Sequence, residues 1–543
     1  MAGRPKGPAA WLAALFLLSG CQAVSLPTPQ VAPRAGGQVA EAVVGTTGPL
    51  NPLFEQEDNA QDIDSLIYQG LTTVAANEQA VGLLASGWQL SGDGLSYTFN
   101  LRRGVRWADG KPFNADDVMF TFGVLQSPDY QQSTTQYWKD ITVEKLGDLQ
   151  VRFTLKAPSA SFPLALRQGI LPKHLFGGLA VDAIPASSHS GAKALGTGPF
   201  VVGSISPDRH VVRLDRNPYA RPQPYLDHVV FHSYPSLADA VDAVSRGEAD
   251  TVGAPEMPQL GPLAHRPDLA LLQPRTFIFT AVFFNLTPDL SVFFNPPAVR
   301  QAMAQAIDRR KIVRDVLEGH ADPAPGPIPP ADWAYAKQQA EKLPYDPAQA
   351  SRLLAEAGWQ MNVQTGLLSR AGHDFVVQLA TTDAYPYRQV AESVASQLRQ
   401  IGIEVQVQPQ PAPVLVSKYL VGRQYQMALA AFDVGPDPDQ YSLWHTGAPK
   451  DSLNFASQLV PRQALIDKDL EDGRSSQDRN TRRAAYTDFQ DLMEDAAPAI
   501  FLFEPRYTYV VSRRVRGLHT NPAIQPVDRF EYVADWFVTT SGA

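Results

Sequence analysis

The chain has 543 residues, 44% of them hydrophobic and 19% charged, and a formal net charge of -9 at pH 7. On a prior of roughly 150 residues per domain that length suits two to four packed domains, and the composition is that of a globular protein rather than a disordered one. No run of five or more basic residues interrupts the mild acidic excess, which argues against a nucleic-acid partner or a basic membrane-binding face; a single cysteine excludes any disulfide within the chain.

At the N-terminus, Arg4 and Lys6 precede an apolar stretch, 9–20, that is shorter than the roughly 20 residues a bilayer requires. This pattern predicts a secretory signal rather than a membrane anchor. Leu18, Ser19 and Gly20 lead directly into Cys21, the sole cysteine, and the arrangement resembles the bacterial lipobox. That resemblance implies a diacylglyceryl group on Cys21 and an extracytoplasmic protein held to the cell membrane by its lipid; the alternative is a plain signal peptide or a buried structural cysteine. Residues 22–37 are rich in proline and small residues without hydrophobic periodicity, which predicts a semi-rigid tether. No later segment offers 18 consecutive apolar residues, so nothing else is expected to span a membrane.

Beyond the tether, strand and helix patterns alternate. Tyr97, Phe99 and Leu101 share one face of a strand by period-two alternation, as do Val151, Phe153 and Leu155. Between them Asn114 fits a helix N-cap, Asp116 and Asp117 fall in the first turn, and Val118, Phe122 and Leu125 recur at helical spacing. The paired carboxylates therefore read as a helix start rather than an acid/base couple. A second helix is expected from a cap at Asn295, with Pro297 in its first turn, Val299, Met303, Ala306 and Ile307 on one face, and Gly319 as its stop. Asp346 caps a third, opened by Pro347 and closed by Gly358. A fourth carries Val390, Val394, Leu398 and Ile401, then passes through Gly402 into the alternating residues Ile403, Val405 and Val407, an α/β unit.

Several of these stretches, in order, resemble one family. "LASGWQLSGDGLSYTFNLRRGVRWADGKPFNADDVMFTF" at 84–122, "GTGPF" at 196–200, "RNPYARPQPYLDHVVF" from Arg216, "AVDAVSRGEAD" from Ala240, "VRQAMAQAIDR" from Val299, "YDPAQASRLLAEAGW" from Tyr345 and "DVGPDPDQYSLWHT" from Asp433 are similar to the solute-binding proteins of peptide ABC importers, the dipeptide and oligopeptide-binding family 5. The resemblance implies an α/β, two-lobed, periplasmic-binding-protein-like type II fold with an extra inserted α/β domain. The expected division is a signal peptide at 1–20, a tether at 21–37, a discontinuous first lobe of 38–60, 187–276 and 501–543, the inserted domain at 61–186, and a second lobe at 277–500. Ligand binding is expected to close the lobes over the cleft between them.

A receptor that tolerates many peptides must hold the groups all peptides share, the α-ammonium and the backbone. The resemblance places the ammonium-binding carboxylate at Asp433, in "AFDVGPDP", although Val434 and Gly435 replace the aromatic or Asn that often follows it. Two other readings of Asp433 are a cap for the following turn and a calcium loop with Asp437 and Asp439; the prolines and the lack of a correctly spaced Gly and Glu disfavour the latter. Asn285 and Trp444 are weaker ligand-binding candidates, with core packing or turn satisfaction as the alternative. His445, alone beside Trp444, reads as a structural residue rather than a metal ligand.

The marks of an enzyme are missing: no HExxH helix and no GxSxG elbow occur. In "GVRWADGKP" the glycines Gly104 and Gly110 are one residue too far apart for a phosphate loop, and Pro112 replaces its Ser/Thr; "GTGPF" lacks the third glycine of a dinucleotide site. The expectation is a non-enzymatic monomer without cofactor or metal. It would deliver peptides to the permease subunits of an ABC importer. The alternatives are the same role for a sugar, metal chelate or other small molecule, or a ligand sensor without transport.

Overall fold

The computed structural model describes residues 32–54, 58–132, 135–253, 257–261, 263, 266–287, 293–448 and 453–539. Cys21, the signal sequence and most of the tether lie outside the described residues. The rest forms an α/β fold with two lobes, each built on its own sheet.

The first lobe carries a seven-stranded sheet in the order Leu269–Leu272, Tyr509–Ser512, Thr251–Gly253, Gln38–Val44, His228–Tyr234, Val211–Arg216 and Phe200–Ile205. Strand 38–44 runs parallel to both of its neighbours, 228–234 and 251–253. Its alternation divides the core: Ala40 and Ala42 pack toward helix Leu237–Arg246, and Val39 and Val43 toward the larger cluster on the other face. Small side chains on the helix face let the helix approach closely. That helix starts where the Ser236 hydroxyl accepts from the Asp239 N–H and stops at Gly247, whose φ of 77° suits the left-handed C-cap.

A four-stranded antiparallel sheet, in the order Ala85–Leu90, Ser96–Leu101, Gln150–Thr154 and Thr142–Gly147, packs against helix Ala115–Leu125. The expected inward residues Tyr97, Phe99, Val151 and Phe153 are fully buried. Asn114 and Asp117 form the reciprocal capping box that the sequence foreshadows. Asp117 also accepts from the Lys173 N–H and the Trp107 indole, while Asp116 pairs with Lys145 at 3.1 Å, so both acids serve the helix start. This sheet has no core of its own: its aromatic residues belong to one cluster with Val39, Leu214, Phe231 and Trp536 of the first lobe.

"GTGPF" has a packing role. A Cβ on Gly196 would lie 1.9 Å from the Ile67 carbonyl oxygen and one on Gly198 2.5 Å from that of Leu66, so only glycine lets this segment press against the end of helix Asp58–Ile67.

The second lobe carries a six-stranded sheet in the order Ala321–Pro323, Ala499–Pro505, Ile278–Phe284, Met427–Asp433, Val376–Thr382 and Glu404–Gln410. The expected helix and strand joined at Gly402 are helix Tyr387–Gln400 and strand 404–410, and strand 376–382 before them completes an α/β unit that the sequence reading does not include; the two strands pair in parallel, and Gly402 takes a φ of 86° between helix and strand. Asp346 caps its helix by accepting from the Gln349 N–H.

The helix expected from Asn295 to Gly319 is instead two, Pro297–Gln305 and Arg309–Asp315, and Pro296 rather than Asn295 holds the cap position. The break falls where the Asp308 carboxylate accepts from the Lys311 N–H and restarts the chain as a second helix. Two expected domain bounds also cut through single elements. The 60/61 bound divides helix 58–67, whose Asp62 binds Arg529 of the first lobe, and the 500/501 bound divides strand 499–505, which pairs with strand 278–284 of the second.

Two strands cross between the lobes side by side. Arg275–Thr276 leads into strand 278–284 and strand 499–505 leads back to 509–512, and the Thr276 hydroxyl donates to the Pro505 carbonyl at 2.6 Å. Away from this crossover the lobes also touch at the inserted region, where the Ala160 N–H donates to the Arg474 carbonyl at 2.7 Å and Gln477 donates to the Tyr97 hydroxyl at 3.0 Å.

Candidate ligand-binding cleft

Asp433 ends strand 427–433, opposite Ile278 on the strand that has just entered from the crossover. The turn beyond it needs Gly435, whose φ is 69°. One carboxylate oxygen, Oδ1, accepts from the Gly435 N–H at 2.8 Å, so Asp433 does cap its turn. The other, Oδ2, accepts from Gln525 Nε2 at 3.1 Å, and Gln525 belongs to the first lobe. The side chain is exposed. A carboxylate offers about four lone-pair positions, and two are occupied here, so acceptor capacity for a cation remains.

The remaining aspartates of this turn are committed. Asp437 pairs with Arg482 at 2.6 Å, and Asp439 pairs with Arg474 at 3.3 Å, whose guanidinium lies 4.2 Å from the centre of the Tyr441 ring. Burial raises the Asp439 carboxyl, with Arg474 opposing that rise. Among the described residues no group of three or more His, Cys, Asp or Glu side chains is placed to hold a metal ion.

Two of the expected ligand residues do not face a cleft. Asn285 is buried: its amide donates at 2.8 Å to the carbonyls of Arg423 and Tyr425, and its oxygen accepts from the Thr287 N–H. It ties the end of strand 278–284 to the neighbouring chain. Trp444 is buried against Phe283, Phe455 and Phe501, and its indole N–H donates to Gln440 Oε1 at 3.0 Å. Both are structural, because every polar group they carry is satisfied inside the second lobe. His445 is structural as well, stacked on Tyr441 with Nε2 3.1 Å from Glu471 and Nδ1 accepting from the Gly447 N–H.

Beside Gln525 lies a cavity of about 570 Å³, walled by the inserted region, the C-terminal segment and first-lobe residues around Pro199 and Arg221. Arg167 and Gln525 both line it, as do Gln61, Tyr68, Thr73 and Glu531. Arg167 Nη1 donates to Gln525 Oε1 at 2.8 Å, and its other terminal nitrogen pairs with Asp528. Burial raises the Glu531 carboxyl; its bond from the Thr73 hydroxyl acts the other way. Neither Arg167 nor Gln525 is marked by a sequence pattern. They stand 358 positions apart in the chain and are brought together only by the fold.

Two α/β lobes joined by paired crossover strands, with a carboxylate of one facing an amide of the other, define a binding protein of the two-lobed class. Residues 79–454 match the bacterial extracellular solute-binding proteins, family 5, and the chain belongs to that family. It is similar to the oligopeptide-binding protein AppA of Bacillus subtilis, 28% identical over 501 residues covering 90% of each chain, and to di/tripeptide-binding protein 2 of Pseudomonas aeruginosa, 28% identical over 479 residues covering 84% of this chain and 87% of that one. The structure of Bacillus subtilis AppA in complex with a nonapeptide superposes with a TM-score of 0.74 at 26% identity, covering 94% of this chain and all of that one. The protein is thus a solute-binding protein of the ABC-importer type and not an enzyme. Among the described residues no helix is long and apolar enough to cross a membrane.

Proposed function

We propose that the protein captures peptides between its lobes and delivers them to the permease of an ABC importer, held at the membrane by a lipid on Cys21. The observation that carries the ligand reading is the Asp433 carboxylate, exposed at the end of a second-lobe strand and within hydrogen-bond distance of the first lobe. A free peptide presents an ammonium group whatever its sequence, and a charge-assisted hydrogen bond to a carboxylate is about twice as strong as a neutral one. Likeness to an oligopeptide-binding and a di/tripeptide-binding protein supports the same ligand class.

Native mass spectrometry of the full chain, purified without denaturation, tests this reading. A ladder of added masses fitting short peptides is expected; a single non-peptide mass would keep the receptor role and overturn the substrate. The anchor is tested separately by feeding cells a labelled fatty acid. Label is expected on the wild type and not on Cys21→Ala, and an unlabelled wild type whose Cys21→Ala form stays on the membrane would contradict the lipid.

A further inference from the structure

We propose that Gln525, set in place by Arg167, is a positioning residue for the second-lobe carboxylate: it orients Asp433 and couples occupancy of that carboxylate to lobe closure. This rests on the reading of Asp433 as the ligand-binding group.

The orientation of the Gln525 amide is dictated from both sides. Arg167 can only donate, so the oxygen of Gln525 must face it, and the ionised Asp433 can only accept, so the nitrogen of Gln525 must face that. Arg167 is itself held by Asp528, and Asp528 completes a capping box with Gln525 at the start of the turn Pro526–Phe530. The glutamine is thus built into a rigid corner of the first lobe. Its reach across to Asp433 exists only while the lobes are together.

With Gly435 bonded to one oxygen of Asp433 and Gln525 to the other, the carboxylate plane is fixed from both lobes. A glutamine does this without neutralising the charge. An arginine or lysine there would orient Asp433 equally well but cancel the attraction for an ammonium group. Donation from Arg167 to the amide oxygen further polarises the amide N–H that Asp433 receives.

The test uses the full chain and a pool of synthetic tripeptides with free amino termini, titrated by calorimetry, with closure followed by small-angle X-ray scattering. Gln525→Ala and Gln525→Leu, neither of which can donate to Asp433, are each expected to weaken binding by about tenfold. Gln525→Leu made on Asp433→Ala should cost less than about twofold further, because the glutamine acts only through that carboxylate. Arg167→Ala should reproduce the loss of Gln525→Ala.

Equal losses from Gln525→Leu with and without Asp433→Ala would overturn the proposal, as would wild-type binding in both glutamine variants while Asp433→Ala has lost affinity. If Asp433→Ala binds the pool as the wild type does, the ammonium reading fails and the positioning role falls with it. Where Asp433→Ala has lost affinity, scattering at saturating peptide tests the coupling: compaction preserved in Gln525→Ala overturns it, and compaction lost supports it.

Discussion

Glu78 Oε2 accepts a hydrogen bond of 2.9 Å from the backbone N–H of Trp333, joining the inserted region to the second lobe across 255 residues of sequence. Glu78 sits in the turn between strands Thr72–Val74 and Ala80–Gly82, with a φ of 65°. The adjacent Asn77 carbonyl accepts from Arg479, whose guanidinium lies 4.4 Å from the centre of the Trp333 ring. The hairpin is a clasp between the lobes; Arg482, which pairs with Asp437 of the turn beyond Asp433, also lies over the Trp333 ring. A hydrogen bond to a charged group contributes about 1.5–3 kcal/mol, so Glu78→Ala is expected to raise the rate of ligand release by about tenfold. Glu78→Gln, which keeps an acceptor, should recover most of the loss. Stopped-flow release of a fluorescent peptide measures this; equal rates in Glu78→Ala and wild type would show that the clasp does not hold the closed form.

Arg529 is a buried cation of the first lobe. It donates to Asp62 Oδ1 at 2.7 Å and to Glu41 Oε1 at 3.1 Å, while the Tyr509 hydroxyl donates to the other oxygen of Glu41 at 2.7 Å. Burial raises the Glu41 carboxyl, and Arg529 opposes that rise. Removing one partner of a buried pair leaves the other charge uncompensated, at a cost of about 3–5 kcal/mol. Arg529→Ala should lose about that much stability in chemical denaturation, and a loss under 1 kcal/mol would contradict the geometry.

Trp444 and Asn285 separate packing from binding. Trp444→Ala should destabilise the protein by about 3–5 kcal/mol, as expected for a buried tryptophan. Peptide affinity, measured well below the melting temperature, should stay within about twofold of wild type, far short of the tenfold that 1.4 kcal/mol would give. A large affinity loss with unchanged stability would return Trp444 to the ligand.

Two buried carboxyls give the second lobe a pH signature. Burial pushes Glu494 and Glu504 up to about 8 from the ordinary value of 4.5, opposed at Glu494 by Arg309 and Lys342 and at Glu504 by Arg275. Between those two values the folded chain keeps protons that the unfolded chain has released, so folding stability falls as the pH rises from about 4.5 to about 8. The contribution of each carboxyl is complete below that window and lost once the pH has risen through it. Glu504→Gln should flatten part of the decline in melting temperature over this range, and an unchanged slope would show that Glu504 ionises freely.

Local signals were the legible ones. The caps at Asn114 and Asp346, the turn at Gly402 and the period-two faces at Tyr97 and Phe99 all depend on residues within a few positions of one another, and the structure keeps each of them. The break at Asp308 is not legible in the sequence because one apolar face runs through both helices, while the carboxylate that restarts the chain is an ordinary polar residue in that pattern. Asn285 and Trp444 have side chains that suit a ligand surface or a core equally. Only the positions of Arg423, Tyr425, Phe283 and Phe455 decide between them. Gln525, Arg167, Glu78 and Trp333 left no local trace, since each acquires its meaning from a partner on a distant segment.

The most direct test of peptide capture through Asp433 is calorimetric titration of wild type and Asp433→Ala with a peptide recovered from the purified protein. Loss of a charged partner should cost roughly 2 kcal/mol or more, close to a thirtyfold fall in affinity. The N-acetylated form of the same peptide should bind wild type and variant alike. Equal affinity of wild type and Asp433→Ala for the free-amine peptide would contradict the account.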